Sequence, residues 1–193
     1  MVSQNRAPPK FAVAEDAQRN RTPVIVKLVD GTFIKGVLHW KKIHQRLIDA
    51  LNHDDLAHHF VISDVATREG IQTCQYLVKS DRIAYLIVDK AYLPLPPNRN
   101  FTDVVKKVDI QVRVRIANEE LEGKIFVRPV FNSVVDALDS FKDHFIILDQ
   151  VTSLRGRGNP MVFLNRSQVL YFAYQPGLRF QAPPARVVSP APR

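Results

Sequence analysis

The chain states one structural plan twice. Residues 24–89 and 110–175 each open on an alternating strand, return on a strand that carries a Gly and pass through a short helical stripe. An aromatic-led strand, a polar loop and a closing strand pair complete each copy. Gly36, Asp49-Ala50-Leu51, His59-Phe60-Val61-Ile62, Asp64 and Ile83-Ala84-Tyr85 reappear as Gly123, Asp136-Ala137-Leu138, His144-Phe145-Ile146-Ile147, Asp149 and Val169-Leu170-Tyr171. Gly36 and Gly123 stand 87 positions apart, Phe60 and Phe145 85, and Tyr85 and Tyr171 86. A unit of this length is too long for a solenoid repeat and marks the duplication of a small domain.

Within each copy the periodicity assigns the elements. Val24, Val26 and Leu28 alternate with Ile25 and Lys27 up to the hairpin signal Asp30-Gly31, and Phe33 to Trp40 returns. Ile110, Val112, Val114 and Ile116 repeat that alternation, with the turn expected at Asn118-Glu119. Gly36 and Gly123 interrupt the returning strands, where Gly usually marks a bulge or bend. Leu47, Ile48 and Leu51, and Val134, Val135 and Leu138, share a helical spacing. They predict short helices at 45–52 and 133–141, with Asn132 or Ser133 as the second N-cap and Leu51 and Leu138 in equivalent buried sites. Strands are expected at 58–65 and 144–151. The stretches Ala66–Thr73 and Thr152–Pro160 read as polar loops, and two strands close each copy.

These boundaries give five segments: a disordered arm at 1–21, a first barrel at 22–89, a Pro-containing linker at 90–109, a second barrel at 110–175 and a disordered Pro/Arg tail at 176–193. The formal charge of +8 invites a nucleic-acid reading, but its distribution argues otherwise. The arm and the linker each carry net +2 and the tail +3, whereas the two copies carry 0 and +1. The excess sits outside the folded units, where it can steer an anionic partner without forming a basic groove. No apolar run is long enough for a membrane span, no signal-peptide core opens the chain, and the lone Cys74 forms no internal disulfide. A cytoplasmic protein is the expectation.

Five short strands per copy, a bent second strand carrying Gly and a final strand pair resemble the Sm-like (SH3-type) small barrel. Val26-Lys27-Leu28-Val29-Asp30-Gly31, Gly36-Val37-Leu38 and Ser80-Asp81-Arg82-Ile83 carry the likeness, which extends over roughly two-thirds of the chain. Arg46–Asn52 followed by Phe60-Val61-Ile62 is similar to small bacterial Sm-like proteins of unassigned function. The resemblance implies a mainly β fold of two tandem Sm-like barrels, each with a helix inserted between its second and third strands. RNA-binding Sm proteins resemble one another in an aspartate-x-x-asparagine turn and an arginine-glycine pair. Here a helix replaces the first, and Lys79-Ser80-Asp81 and Asn165-Arg166-Ser167 replace the second, so no RNA pocket residue carries over.

Candidate chemistry is sparse. His39, His44, His53, His58 and His59 with Asp54 and Asp55 gather metal-capable groups, but at no known zinc spacing. Asp49 and Asp136 become a carboxylate pair only if the copies face each other. Nucleophile motifs and phosphate-cradling Gly loops are absent, so no cofactor, metal or catalytic residue is assigned. Arg155-Gly156-Arg157-Gly158 is the one compact basic loop, and Arg155, Arg157, Arg179 and Arg186 are the candidates for contact with a partner or a phosphate. The expected function is a non-catalytic interaction or assembly module that binds a protein partner or itself through barrel edges. The alternative is RNA or DNA binding through the RGRG loop and the basic tails; under the assembly reading, only weak nucleic-acid contact by the basic tails is expected.

Overall fold

Hairpin chemistry sets the two halves of the molecule. The computed structural model describes residues 19–53, 59–67, 70–72, 75–93, 107–128, 130–131, 133–154 and 160–174. β1 (Arg19–Leu28) runs antiparallel to β2 (Phe33–Lys41), with Val24 opposite Gly36 and Val26 opposite Ile34. Arg19, Asn20 and Arg21, assigned from sequence to the arm, therefore belong to a strand. At the turn the Asp30 carboxylate accepts from the Thr32 N–H at 2.8 Å, which holds Asp30 below the ordinary aspartate range, and Gly31 adopts φ 93°. β8 (Val108–Ile116) and β9 (Glu119–Val127) repeat the hairpin, with Val112 opposite Gly123. Their turn is Ala117-Asn118, one residue earlier than expected, with Ala117 at φ 48°.

A Cβ on Gly36 would lie 2.6 Å from the Ser63 carbonyl oxygen, and one on Gly123 2.7 Å from that of Asp149. Neither hairpin changes register there, so of the expected bulge or bend no bulge forms, and these glycines admit a crossing third strand. α1 (Leu47–Leu51) buries Leu47, Ala50 and Leu51. α2 (Val134–Asp139) buries Val134 and Ala137 and starts at Ser133, whose hydroxyl accepts from the Asp136 N–H at 3.1 Å. Leu138 does not share the deep burial of Leu51. It lies half-exposed against the edge of its core, a correction to the expected equivalence.

β3 (His59–Ser63) ends at Asp64 with φ 51°, and β10 (Phe145–Leu148) is followed by Asp149 and by Gln150 with φ 51°. The left-handed residues align Asp64 with Gln150, hence Phe60 with Ile146 and His59 with Phe145. That is one residue off the sequence match of Phe60 with Phe145. The segment expected as a polar loop after β3 is instead a ribbon of β4 (Val65–Thr67) and β5 (Gly70–Gln72). β6 (Tyr76–Lys79) and β7 (Ile83–Asp89) close the first half, and β11 (Pro160–Asn165) and β12 (Val169–Tyr174) the second. A single 3-10 turn joins each pair.

In the first half the strands run β7-β1-β2-β3-β6, that is fifth, first, second, third, fourth. The second half has the same order but is split. β12-β8-β9 form one sheet, and β10-β11 are linked to it by the Lys124–Asp149 bridge, whose amides and carbonyls bond reciprocally at 2.7 and 2.8 Å. β11 pairs antiparallel with β7, which produces one seven-stranded sheet, β10-β11-β7-β1-β2-β3-β6. This corrects the picture of two separate closed barrels: the fold is mainly β, but strands of the second copy complete the sheet of the first, and among the described residues no sheet closes on itself.

The reason lies in β7. Ile83-Ala84-Tyr85-Leu86-Ile87-Val88 is apolar and buried throughout, so both faces of this strand need cover. Ile83, Leu86 and Val88 enter the first core, while Ala84, Tyr85 and Ile87 enter the second. β11 answers in kind, sending Phe163 into the first core and Val162 and Leu164 into the second.

Candidate functional site: the seam and the terminal strands

The β7–β11 seam is where one half of the chain recognises the other, and it joins apolar insertion to polar fixation. Phe145 from β10 reaches into the first core and meets Phe60 edge to face, with ring centroids 5.8 Å apart. Asn52 at the end of α1 clamps the Phe145 backbone: its Nδ2 donates to the Phe145 carbonyl at 3.1 Å and its Oδ1 accepts from the Phe145 N–H at 2.7 Å. Asn165 donates to the Ser80 and Ile83 carbonyls at 3.0 and 2.8 Å, adding a side-chain donor across the seam at the end of the 3-10 turn.

Charge crosses the seam as well. Buried Lys27 pairs with Glu119 at 2.9 Å and lies 3.8 Å over the Phe33 ring, while the Tyr85 hydroxyl donates to Glu119. Lys90 pairs with Asp149, itself nearly buried. Removing one member of such a pair leaves its partner desolvated, so these contacts fix the docking geometry more than they add net stability.

Apart from the short β4–β5 ribbon and the β9 and β10 ends, which the Lys124–Asp149 bridge links, two terminal strands have no strand beyond them among the described residues. They are β6, at one end of the seven-stranded sheet, and β12, at one end of the three-stranded sheet. Both carry large exposed apolar groups: Tyr76 and Leu77 on β6, and Leu170 and Tyr171 on β12. Such edges, without Pro or an inward charge, recruit further strands. The Tyr171 hydroxyl rests 3.3 Å from Glu120, within a cluster in which Arg113 binds both Glu120 and Glu122 at 2.8 Å. The hydrogen bond to Glu122, reinforced by the charges of Glu122 and Glu120, raises the Arg113 guanidinium pKa further. Beside it, Glu120, Glu122, Thr152 and Ser153 line a shallow, open depression.

Arg155, Arg157, Arg179 and Arg186 lie outside the described residues, as do His58, Asp54 and Asp55. The remaining histidines are placed as follows. His39 is buried with its Nε2 2.7 Å from the Ser63 hydroxyl, the His44 and His53 rings stack tilted at 4.8 Å, and His59 is exposed at the start of β3. No group of three or more metal-capable side chains converges among the described residues. Asp49 accepts from Arg46 and Asp136 sits in the first turn of α2, and no contact joins the two carboxylates. The aromatics divide: Trp40 and Tyr85 are core, whereas Tyr76 and Tyr171 stand on the terminal strands.

Sequence reasoning missed Phe145, Phe163, Asn52, Asn165 and Glu119 as seam residues. One signal was available, the unalternated apolar run of β7, which calls for a strand buried on both faces. Compared with known proteins, the chain matches no family model, no curated protein and no solved structure.

Proposed function

We propose that the chain is a non-catalytic assembly module: two Sm-like small barrels fused edge to edge, whose remaining strand edges take up a protein partner or another copy. The observation that carries this reading is the pairing of β11 with β7, in which a strand from one repeat completes the sheet of the other. Main-chain pairing gives affinity and alternate side chains give register, the physics of strand addition. The chemistry described above is occupied structurally. Arg113 pairs with both Glu120 and Glu122 and His39 bonds Ser63, while the copies are near neutral.

The competing reading, nucleic-acid binding, rests on the RGRG loop and the tails and is separated by one titration. A chain trimmed to residues 19–174 retains every described strand and loses Arg6, Lys10, Arg179, Arg186 and Arg193. Titrated with single-stranded RNA and duplex DNA near physiological salt, it is expected to bind neither tightly, while the full chain binds weakly and with steep salt dependence. Submicromolar binding by the trimmed chain that vanishes in Arg155→Ala/Arg157→Ala would replace the assembly reading with the nucleic-acid one.

A further inference from the structure

We propose that the outer face of the seven-stranded sheet, at the end where β1 begins and β2 finishes, is a docking surface for an acidic, extended segment of a protein partner. This rests on the assembly reading and names the chemistry of the partner that reading calls for.

The register builds this surface. Arg21 on β1 faces His39 on β2, His39 faces Val61 on β3, and Val61 faces Leu77 on β6, one row across four strands. Two residues along the same strands, Arg19 faces Lys41 and His59 faces Lys79. Alternate residues of a strand share a face, so the two rows lie side by side. Trp40, Phe60 and Val78, which stand between them in sequence, enter the first core, so both rows lie on the side turned away from it. Arg21, Lys41, His59, Leu77 and Lys79 are exposed there. With strands about 4.8 Å apart, each row spans roughly 14 Å.

Neither row contains an acidic residue. Among the described residues, the acids that bring the first copy near neutrality stand off the rows. Asp30 is in the β1–β2 turn, Asp49 is on α1 against Arg46, and Asp89 caps the 3-10 turn after β7. Asp64, just past β3, meets this belt at Arg21, 2.9 Å away, and Asp81 lies in the 3-10 turn that follows Lys79. Arg19 and Arg21, which the sequence assigns to the arm, are carried onto the sheet by β1. A near-zero sum over the copy thus conceals a surface on which the charges are sorted by face.

The side chains beside the cations favour a protein over a nucleic acid. No Phe, Tyr or Trp stands in either row, so unpaired bases find none of those rings to stack on. Instead Leu77, 69% exposed, and half-buried Val61 continue the row that Arg21 begins. A cationic belt alongside an aliphatic strip matches carboxylates interspersed with apolar side chains. In an extended chain, like-facing residues recur about every 6.6–6.8 Å, so a short acidic stretch covers the belt. Complementary charge speeds the encounter and sets orientation, while burial of the aliphatic strip adds what exposed ion pairs alone do not supply.

The test titrates the full chain into a fluorescein-labelled peptide of glutamates with a leucine at every fourth position, followed by anisotropy. Two further probes are the same peptide with glutamine for every glutamate, and an oligouridylate of equal length. The acidic peptide should bind saturably and the glutamine version should not. Lys41→Glu/Lys79→Glu should lower the affinity about tenfold or more, since both positions are exposed and each reversal turns attraction into repulsion. The milder Lys41→Gln/Lys79→Gln should lower it by less at unchanged circular dichroism, which separates a lost contact from a folding defect. Arg155→Ala/Arg157→Ala and Arg179→Ala/Arg186→Ala should leave it unchanged. No saturable binding of the acidic peptide, or equal affinity in both Lys41/Lys79 variants, would overturn the belt as a docking surface. Oligouridylate bound more tightly than the peptide, and lost with the same two lysines, would overturn an acidic protein segment as the occupant in favour of nucleic acid. The assembly reading falls by a different result, nucleic-acid binding by the trimmed chain that depends on Arg155 and Arg157, which lie outside the belt.

Discussion

Asn165 shows how much of this fold hangs on single polar groups. Its amide donates to two carbonyls of the opposite half, one of them buried, and Asn165→Ala removes both bonds, leaving the Ser80 carbonyl only the Ile83 N–H. The expected loss is about 1–3 kcal/mol of unfolding free energy in urea melts. A loss within about 0.5 kcal/mol, the range of an ordinary surface substitution, would show that the clamp is redundant. Gly36 and Gly123 are constrained by space: Gly123→Ala pushes a methyl to 2.7 Å from the Asp149 oxygen and 2.9 Å from Leu148 Cγ, both parts of the packed third strand. Overpacking of this kind costs about 1–3 kcal/mol. Acid sensitivity begins at Asp30 and Asp109, held below the usual aspartate pKa by the Thr32 amide and by Lys124 respectively. A depressed folded-state pKa gives stability that is complete above the unfolded value, about 3.9, and is lost as pH falls through the lower folded value. Asp30→Asn should therefore flatten the acid limb of a stability–pH curve and leave its neutral plateau shape unchanged.

At the scale of elements, the two helices separate capping from burial. α2 is capped by Ser133, and Ser133→Ala should cost about 0.5–2 kcal/mol, whereas α1 begins at Arg46 with no side-chain cap to lose. Burial runs the other way: Leu51→Ala should cost about 2–5 kcal/mol and Leu138→Ala clearly less, measured by the same melts. Most of this level was legible in the sequence, because hairpins and short helices write local periods into the chain. The alternation Ile110–Ile116 and the turn Asp30-Gly31 both led to the right strands. The match of Phe60 with Phe145 failed by one residue because a shared His-Phe pair outweighed backbone geometry. In a strand, one residue turns the side chain to the other face. Phe145 faces the first core across the seam, an orientation that the match with Phe60 does not reveal.

For the whole molecule, long-range pairing decides, and it leaves no local signature. Nothing in the periods of β7 and β11 says that residues from opposite repeats pair; only the doubly apolar β7 hints that it needs two neighbours. Because each core contains side chains from both halves, the molecule should unfold as one unit. Trp40 is the sole tryptophan and sits in the first core, its indole N–H donating to Thr22 at 3.0 Å, so its fluorescence reports that core alone. Phe163→Ala, a substitution in the second repeat, should lower the Trp40 midpoint and the far-ultraviolet midpoint together, by about 3–5 kcal/mol. Two resolved transitions, with Trp40 unaffected, would mean that the halves fold independently.

The doubly covered β7 also sets a schedule for synthesis. Asp89 leaves the ribosome 71 residues ahead of Pro160, its partner in β11. At about 5–20 residues per second that gap lasts roughly 4–14 s, during which a half-finished sheet presents Tyr85 and Ile87 to solvent uncovered. On a polysome the nearest matching β11 during that interval belongs to the chain ahead, already complete. Correct pairing within one chain is thus a race won by tethering, and slowing translation between β7 and β11 should raise the yield of intertwined dimers at the expense of the properly folded protein.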